Sequence, residues 1–264
     1  MSAEQSIDMI GQHLLYKSGE TLSLWNLPVK VNADGANGQT RAPIERARQL
    51  GIFVPPSAED VALATYHERD WGDRGTWIPE GRAPYGLDAP ENGGKRIFAA
   101  DDEVLYRAWG FLLDKHGEPV IQGPRDPAPG YYVSTTALRD ESMPPTDPRS
   151  YFDSASLPGA TLPGEDLLPY GVHLGDVALV KHGPYKIFVR FCDVGKSGDL
   201  LELSPAACDS LGIPDRARDG GTPGDVSITI FPGSSGLLDH PLASFDDIQT
   251  AGKHAAALHG LPGY

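Results

Sequence analysis

Cysteine is scarce in this chain. Only Cys192 and Cys208 occur among 264 residues, so a dense disulfide framework is excluded and one bridge or two buried thiols remain. No apolar run approaches the eighteen residues of a membrane-crossing helix. The start, MSAEQSIDMIGQHLLYKSGE, carries acidic residues early and no apolar stretch of seven, unlike a secretory leader. The expectation is a cytoplasmic protein, or one exported by a route that reads no such signal. Basic residues are also few, 22 against 36 acidic, for a formal charge of −14. With so little net cation to neutralise phosphates, no nucleic-acid partner is expected. A cationic partner suits the charge, although acidity also serves solubility alone.

Familiar chemical signatures are missing as well. There is no G-x-x-x-x-G-K-[ST] loop, and no G-x-G-x-x-G follows a strand. The cluster Pro232-Gly233-Ser234-Ser235-Gly236 lacks the spacing of a nucleophile elbow. Eight histidines form no H-E-x-x-H pair, and two cysteines cannot build a zinc ribbon. Asn32 and Asp34 imitate part of a calcium loop, but Lys30 and Arg41 would occupy its first and last ligand positions. No metal or cofactor is expected.

What is present is abundant turn chemistry, with 31 glycines and 24 prolines, which disfavours a long helical bundle. LSLWNLPVKV at 22–31 reads as extended chain entering a turn at 32–37. Residues 41–66 read as two helical pieces, and 68–94 as a long loop. Beyond Glu103, strand-like runs alternate with turns: VLYRAWGFLL, YYVSTTAL, DVALVK, YKIFVRFC and DVSITIF. In YKIFVRFC, Ile187, Val189 and Phe191 alternate with Lys186, Phe188 and Arg190, as in a strand with one face in a core. Ser204-Pro205 starts a helix ending near Gly212. Ser244 and Asp247 start another that runs to about Leu258. The fold class is mainly β with peripheral helices (α+β), built on a closed or nearly closed sheet.

One segment carries chemistry. In IFVRFCDVGKSGDLLELSPAACDSLG, at 187–212, an apolar strand delivers Asp193, a glycine turn follows, and a return stretch delivers Glu202. Two carboxylates across a gap are what glycoside hydrolysis requires, one protonated and one ionised. Glu202 between leucines is the expected acid, because desolvation raises a carboxyl pKa. Asp193, beside glycine amides and Lys196, is the expected base.

The chain resembles glycoside hydrolase family 75, the fungal-type chitosanases that also occur in bacteria. VNADGA at 31–36 is similar to the family's Asp-x-Asp-Gly-Ala stretch, and YGLD at 85–88 to its Gly-Leu-Asp element. QGPRDPAPGYYVSTTAL at 122–138 resembles its most recognisable block. DPRSYFDSASLPGATLPG, GVHLGDVALV and FPGS follow in register. Asp193 and Glu202 then fall where the family carries its catalytic carboxylates. Three departures stand out: Leu201-Glu202-Leu203-Ser204 replaces the usual Gly-Glu-Gly-Ser, Phe191-Cys192 precedes Asp193 where the family has small residues, and residues 38–84 form an insertion. The resemblance implies one glycoside hydrolase domain over 1–264, with core motifs at 30–37 and 85–262. It implies a core like the double-psi β-barrel and inverting cleavage of a β-1,4-linked glucosamine-containing glycan.

Asp34, Asp88, Tyr132, Lys196 and Ser204 are the expected substrate-binding residues. Tyr131 and Tyr132 face opposite ways if extended, so at most one lines the cleft. Asp126 and Asp153 read as turn residues. Trp71 and Trp77 read as a local mini-core, and His182, His254 and His259 as surface or satisfied histidines. The expected partner is a polysaccharide, either chitosan or peptidoglycan. In the second case the protein would be an antibacterial effector exported without a signal peptide, with an immunity protein as a further partner.

Overall fold

The computed structural model describes residues 4–32, 34–35, 112, 120, 122–127, 133–195, 197–198, 201–215 and 220–261. They divide between two compact units. The first lies within Met1–Asn32, Ala137–Asp140 and Ser156–Tyr264, and the second within Ala33–Thr136 and Glu141–Ala155. The insertion at 38–84, the helical pieces at 41–66, the loop at 68–94 and all of VLYRAWGFLL except Leu112 lie outside the described residues.

The first unit is mainly β. Its strands are β1 (Gln5–Ile10), β2 (His13–Ser18), β3 (Thr21–Val31), β4 (Gly159–Leu162), β5 (Val177–His182), β6 (Tyr185–Val194), β7 (Glu202–Leu203) and β8 (Thr222–Phe231). Six of them close a barrel in the order β3-β7-β4-β6-β5-β8, with β8 pairing back onto β3. Closure leaves none of these six as a free edge. The β3–β7 and β4–β6 pairs are parallel, and the others around the ring are antiparallel. β1 and β2 form a hairpin attached to β3.

β3 shows how the sequence builds the wall. Leu22 and Leu24 enter the core, and then Leu27, Val29 and Val31 do, so the inward phase changes from even to odd positions. The change is absorbed at Asn26, whose φ of 54° lies in the left-handed region that asparagine tolerates. The ladder to β8 shifts register there, and Trp25 is left 47% exposed. The inward residues of β6, Ile187, Val189 and Phe191, join the same core, with Ala160 and Leu162 of β4 and Leu203 of β7.

Two helices flank the barrel. α1 (Pro205–Ser210) begins at the Ser204 cap with proline in its first turn. α2 (Phe245–Leu258) begins in a capping box made by Ser244 and Asp247. α2 lies on the outward side of β6, where the Gln249 amide accepts from the Phe188 N–H at 3.1 Å and donates to its carbonyl at 2.8 Å. The blocks GVHLGDVALV and FPGS are joined by Asp176. Fully buried, it accepts from the amides of His173, Gly233 and Ser235 at 2.9, 3.1 and 2.8 Å.

In the second unit, the described part of YYVSTTAL that lies there, Val133 to Thr136, forms no regular strand, against the expectation of one. Its polar groups serve the turn at Asp34-Gly35 and residues near Phe152 instead: Gly35 N–H donates to Ser134 Oγ at 2.9 Å, and Phe152 N–H to Thr136 Oγ1 at 3.0 Å.

Candidate active site

Asp193 closes the regular part of β6, and Glu202 opens β7. The strand between them around the ring is β4. Ala160 of β4 pairs with Phe191, and the next β4 residue, Thr161, pairs with Asp193, so Cys192 is an extra residue in β6. This is a β-bulge, and it changes which side chains share a face. Strict alternation from Ile187, Val189 and Phe191 would carry Asp193 into the barrel core. The bulge carries it to the side of Thr161, away from the core to which Ala160 and Phe191 belong.

Glu202 reaches the same side by a second route. Ala160 pairs antiparallel with Leu203, which sets Glu202 beside Thr161 one step further along. Leu203 is in the core and Glu202 is therefore turned out of it. Above Gly195, the position a Cβ would take is 3.1 Å from Thr161 Cγ2 and 3.7 Å from Glu202 Oε2. Asp193, Thr161 and Glu202 thus form a row across three strands. At about 4.8 Å per strand the two acidic residues stand about 10 Å apart at their backbones. Both are half-buried.

Leu201 holds Glu202 in this register. Its φ of 38° is left-handed, a conformation that costs a bulky residue of order 1–3 kcal/mol. Its side chain is 4% exposed in the core, and its carbonyl accepts from Lys30 N–H at 3.3 Å. Burial of the leucine offsets the strain that aims the next residue outward.

The Asp193 carboxylate is strongly engaged. Oδ1 accepts from the amides of Ala137 at 3.1 Å and Val194 at 2.9 Å. Asn32 Nδ2 lies 3.5 Å from Oδ2 and donates to Thr161 Oγ1 at 2.5 Å. Asn32 and Thr161 are 6% and 5% exposed. Burial pushes the Asp193 carboxyl above its ordinary pKa, against the downward pull of the Val194, Ala137 and Asn32 hydrogen bonds. The sequence points to glycine amides and Lys196 favouring the ionised form; the amides come instead from Ala137 and Val194, and burial, which the sequence does not show, outweighs them. A carboxylate raised in this way is a stronger base once ionised.

The other expected site residues make structural contacts or are not described. Ser204 is 1% exposed. Its hydroxyl accepts from Gly159 N–H and Ala207 N–H at 2.9 and 3.1 Å, and donates to the Leu157 carbonyl at 2.9 Å. One proton and two lone pairs are all that a hydroxyl has, so Ser204 is occupied as a helix cap and strand tie and not as a sugar contact. Asp34 belongs to the second unit, where its carbonyl accepts from Ser154 Oγ at 2.6 Å. The following Gly35 has φ +81°, and a Cβ there would meet the Phe152 carbonyl oxygen at 2.3 Å, so only glycine fits that turn. Asp88, Tyr132 and Lys196 lie outside the described residues, as do Tyr131, Trp71 and Trp77.

Asp126 accepts from Gly123 N–H at 2.6 Å and Asp153 from Ala155 N–H at 3.2 Å, both turn contacts. Sequence reasoning missed Asn32 and Thr161 as site residues. The signal was slight: Asn32 directly follows Val31, the last core residue of β3, and Thr161 is the single polar residue in Gly-Ala-Thr-Leu. Among the described residues no cluster of three metal-ligating side chains occurs. Cys192 and Cys208 are buried free thiols and are not bridged. No family model matches the chain, and no curated protein is significantly similar to it.

Proposed function

We propose that the chain is a glycoside hydrolase that cleaves a β-1,4-linked glucosamine-containing glycan by an inverting two-carboxylate mechanism. The observation that carries this reading is the row of Asp193, Thr161 and Glu202 on three neighbouring barrel strands. Two carboxylates held about two strand spacings apart leave room for a sugar and a water, as inversion requires at roughly 6.5–9.5 Å between carboxyl groups. Asp193 is the general base, with Oδ1 fixed by two backbone amides and Oδ2 left toward the reacting water. Glu202 is the general acid that protonates the leaving oxygen. The barrel is of the double-psi kind in this reading, which draws support from its six strands and two parallel pairs. The charge of −14 favours chitosan, a polycation, over peptidoglycan.

The test is digestion of soluble chitosan and of purified peptidoglycan, with analysis of the released ends. Wild-type protein is expected to cut chitosan with inversion at the anomeric carbon. Glu202→Gln and Asp193→Asn are each expected to lose at least about 100-fold in kcat. Muropeptide release without chitosan cleavage would move the substrate to peptidoglycan. No cleavage of either, or full activity in both variants, would sink the reading.

A further inference from the structure

An acid and a base do not by themselves hold the attacking water. Thr161 stands between the two carboxylates, 5% exposed. Its Oγ1 accepts one hydrogen bond, from Asn32 Nδ2 at 2.5 Å. A hydroxyl has one proton and two lone pairs, so a proton and a lone pair remain, and no group among the described residues takes that proton. The Asn32 nitrogen also lies 3.5 Å from Asp193 Oδ2. One donor nitrogen thus faces both Thr161 Oγ1 and the Asp193 oxygen that would take a proton. Asn32 is itself fixed, since its backbone N–H donates to the Leu203 carbonyl at 2.8 Å.

We propose that Thr161 is a catalytic residue that seats the hydrolytic water against Asp193 Oδ2, and that Asn32 is the positioning residue that orients it. The inference rests on the hydrolase reading above and names a part of the same site. In the step, the water oxygen forms a bond to the anomeric carbon as its proton passes to Asp193 Oδ2. The bond from that carbon to the glycosidic oxygen breaks, its electron pair stays on the oxygen, and Glu202 supplies the proton. Thr161 keeps its own proton throughout and only aims the water, which is an orientation effect.

The experiment measures kcat and KM on soluble chitosan for wild type, Thr161→Val and Thr161→Ser, with thermal unfolding of each. It adds the pH dependence of kcat for Asn32→Ala. Valine keeps the shape of threonine and lacks the hydroxyl. It is expected to lower kcat roughly 100-fold and leave KM unchanged, and serine is expected to restore most of the loss. Asn32→Ala removes a donor to the ionised base, so the acid limb of its profile is expected at higher pH than in wild type.

Wild-type kcat in a folded Thr161→Val protein, or a serine variant no better than valine, overturns the assignment. If the valine variant does not fold, the Asn32→Ala profile decides, and an unmoved acid limb overturns it. A wild-type protein that cuts neither chitosan nor peptidoglycan defeats the hydrolase reading itself, and this inference with it. An active wild type whose variants do not show these losses and shifts defeats the inference alone.

Discussion

Asp193 shows how one residue couples chemistry to stability. Its carboxyl is held above the ordinary value chiefly by burial, so the folded state binds its proton more tightly than the unfolded chain does. Stability from this group is therefore full below the unfolded value and is lost as pH rises through the folded value. Asp193→Asn cannot ionise, keeps an acceptor for the Ala137 and Val194 amides, and loses only the long contact to Asn32. It is expected to raise the thermal midpoint relative to wild type near pH 7, and the gain should fade as the pH falls toward 4. An unchanged difference across that range, followed by calorimetry, would contradict the shift. A stabilised but inactive variant is the usual signature of a group strained for function.

The thiols make a second residue-scale prediction. Burial pushes the Cys208 thiol up to about 12, and both cysteines are buried, so neither sulfur is accessible to reagents in the folded protein. Iodoacetamide is expected to label neither in the native protein and both after denaturation, read by mass spectrometry.

Among the elements, the long strands and the capped helix were legible before the structure. β3, β5, β6 and β8 lie where alternation and turn residues place them, and α2 runs over the residues its Ser244 cap announces. Other features turn on partners distant in sequence. The β1–β2 hairpin has an almost wholly exposed β1, so it carries little inward pattern to detect. β4 is four residues long, too short for periodicity to register. The bulge at Cys192 depends on which β4 residue lies opposite, and alternation within β6 alone points Asp193 the wrong way. The carboxylate pair was therefore visible as two residues, whereas their common face was not.

The close fit of α2 on β6 reverses an ordinary rule. Glycine to alanine inside a helix normally stabilises by about 1 kcal/mol. A Cβ at Gly252 would stand 2.2 Å from Phe188 Cγ, so Gly252→Ala must push the helix off the strand. A loss of about 1–3 kcal/mol is expected in denaturant unfolding. Ser244→Ala, which removes the capping box, should cost about 1 kcal/mol in the same assay.

For the molecule as a whole, the acidic excess becomes a property that can be titrated. If chitosan is the substrate, attraction between the polycation and a chain of charge −14 is screened as salt rises. KM on chitosan is expected to climb between low and physiological ionic strength, with kcat changing much less. A KM indifferent to salt would mean that the acidity serves solubility rather than capture.

The ladder across β6, β4 and β7 has one more consequence. Asp193 and Glu202 are neighbours along the chain through the turn at 195–201, yet their separation is set by two strand steps through Thr161 and not by that turn. The turn is thus released from the geometric duty it appears to have. Lengthening or rewriting it is expected to leave the spacing of the two carboxylates unchanged. Under the hydrolase reading, variants in the turn then test substrate preference separately from the chemistry of the two carboxylates.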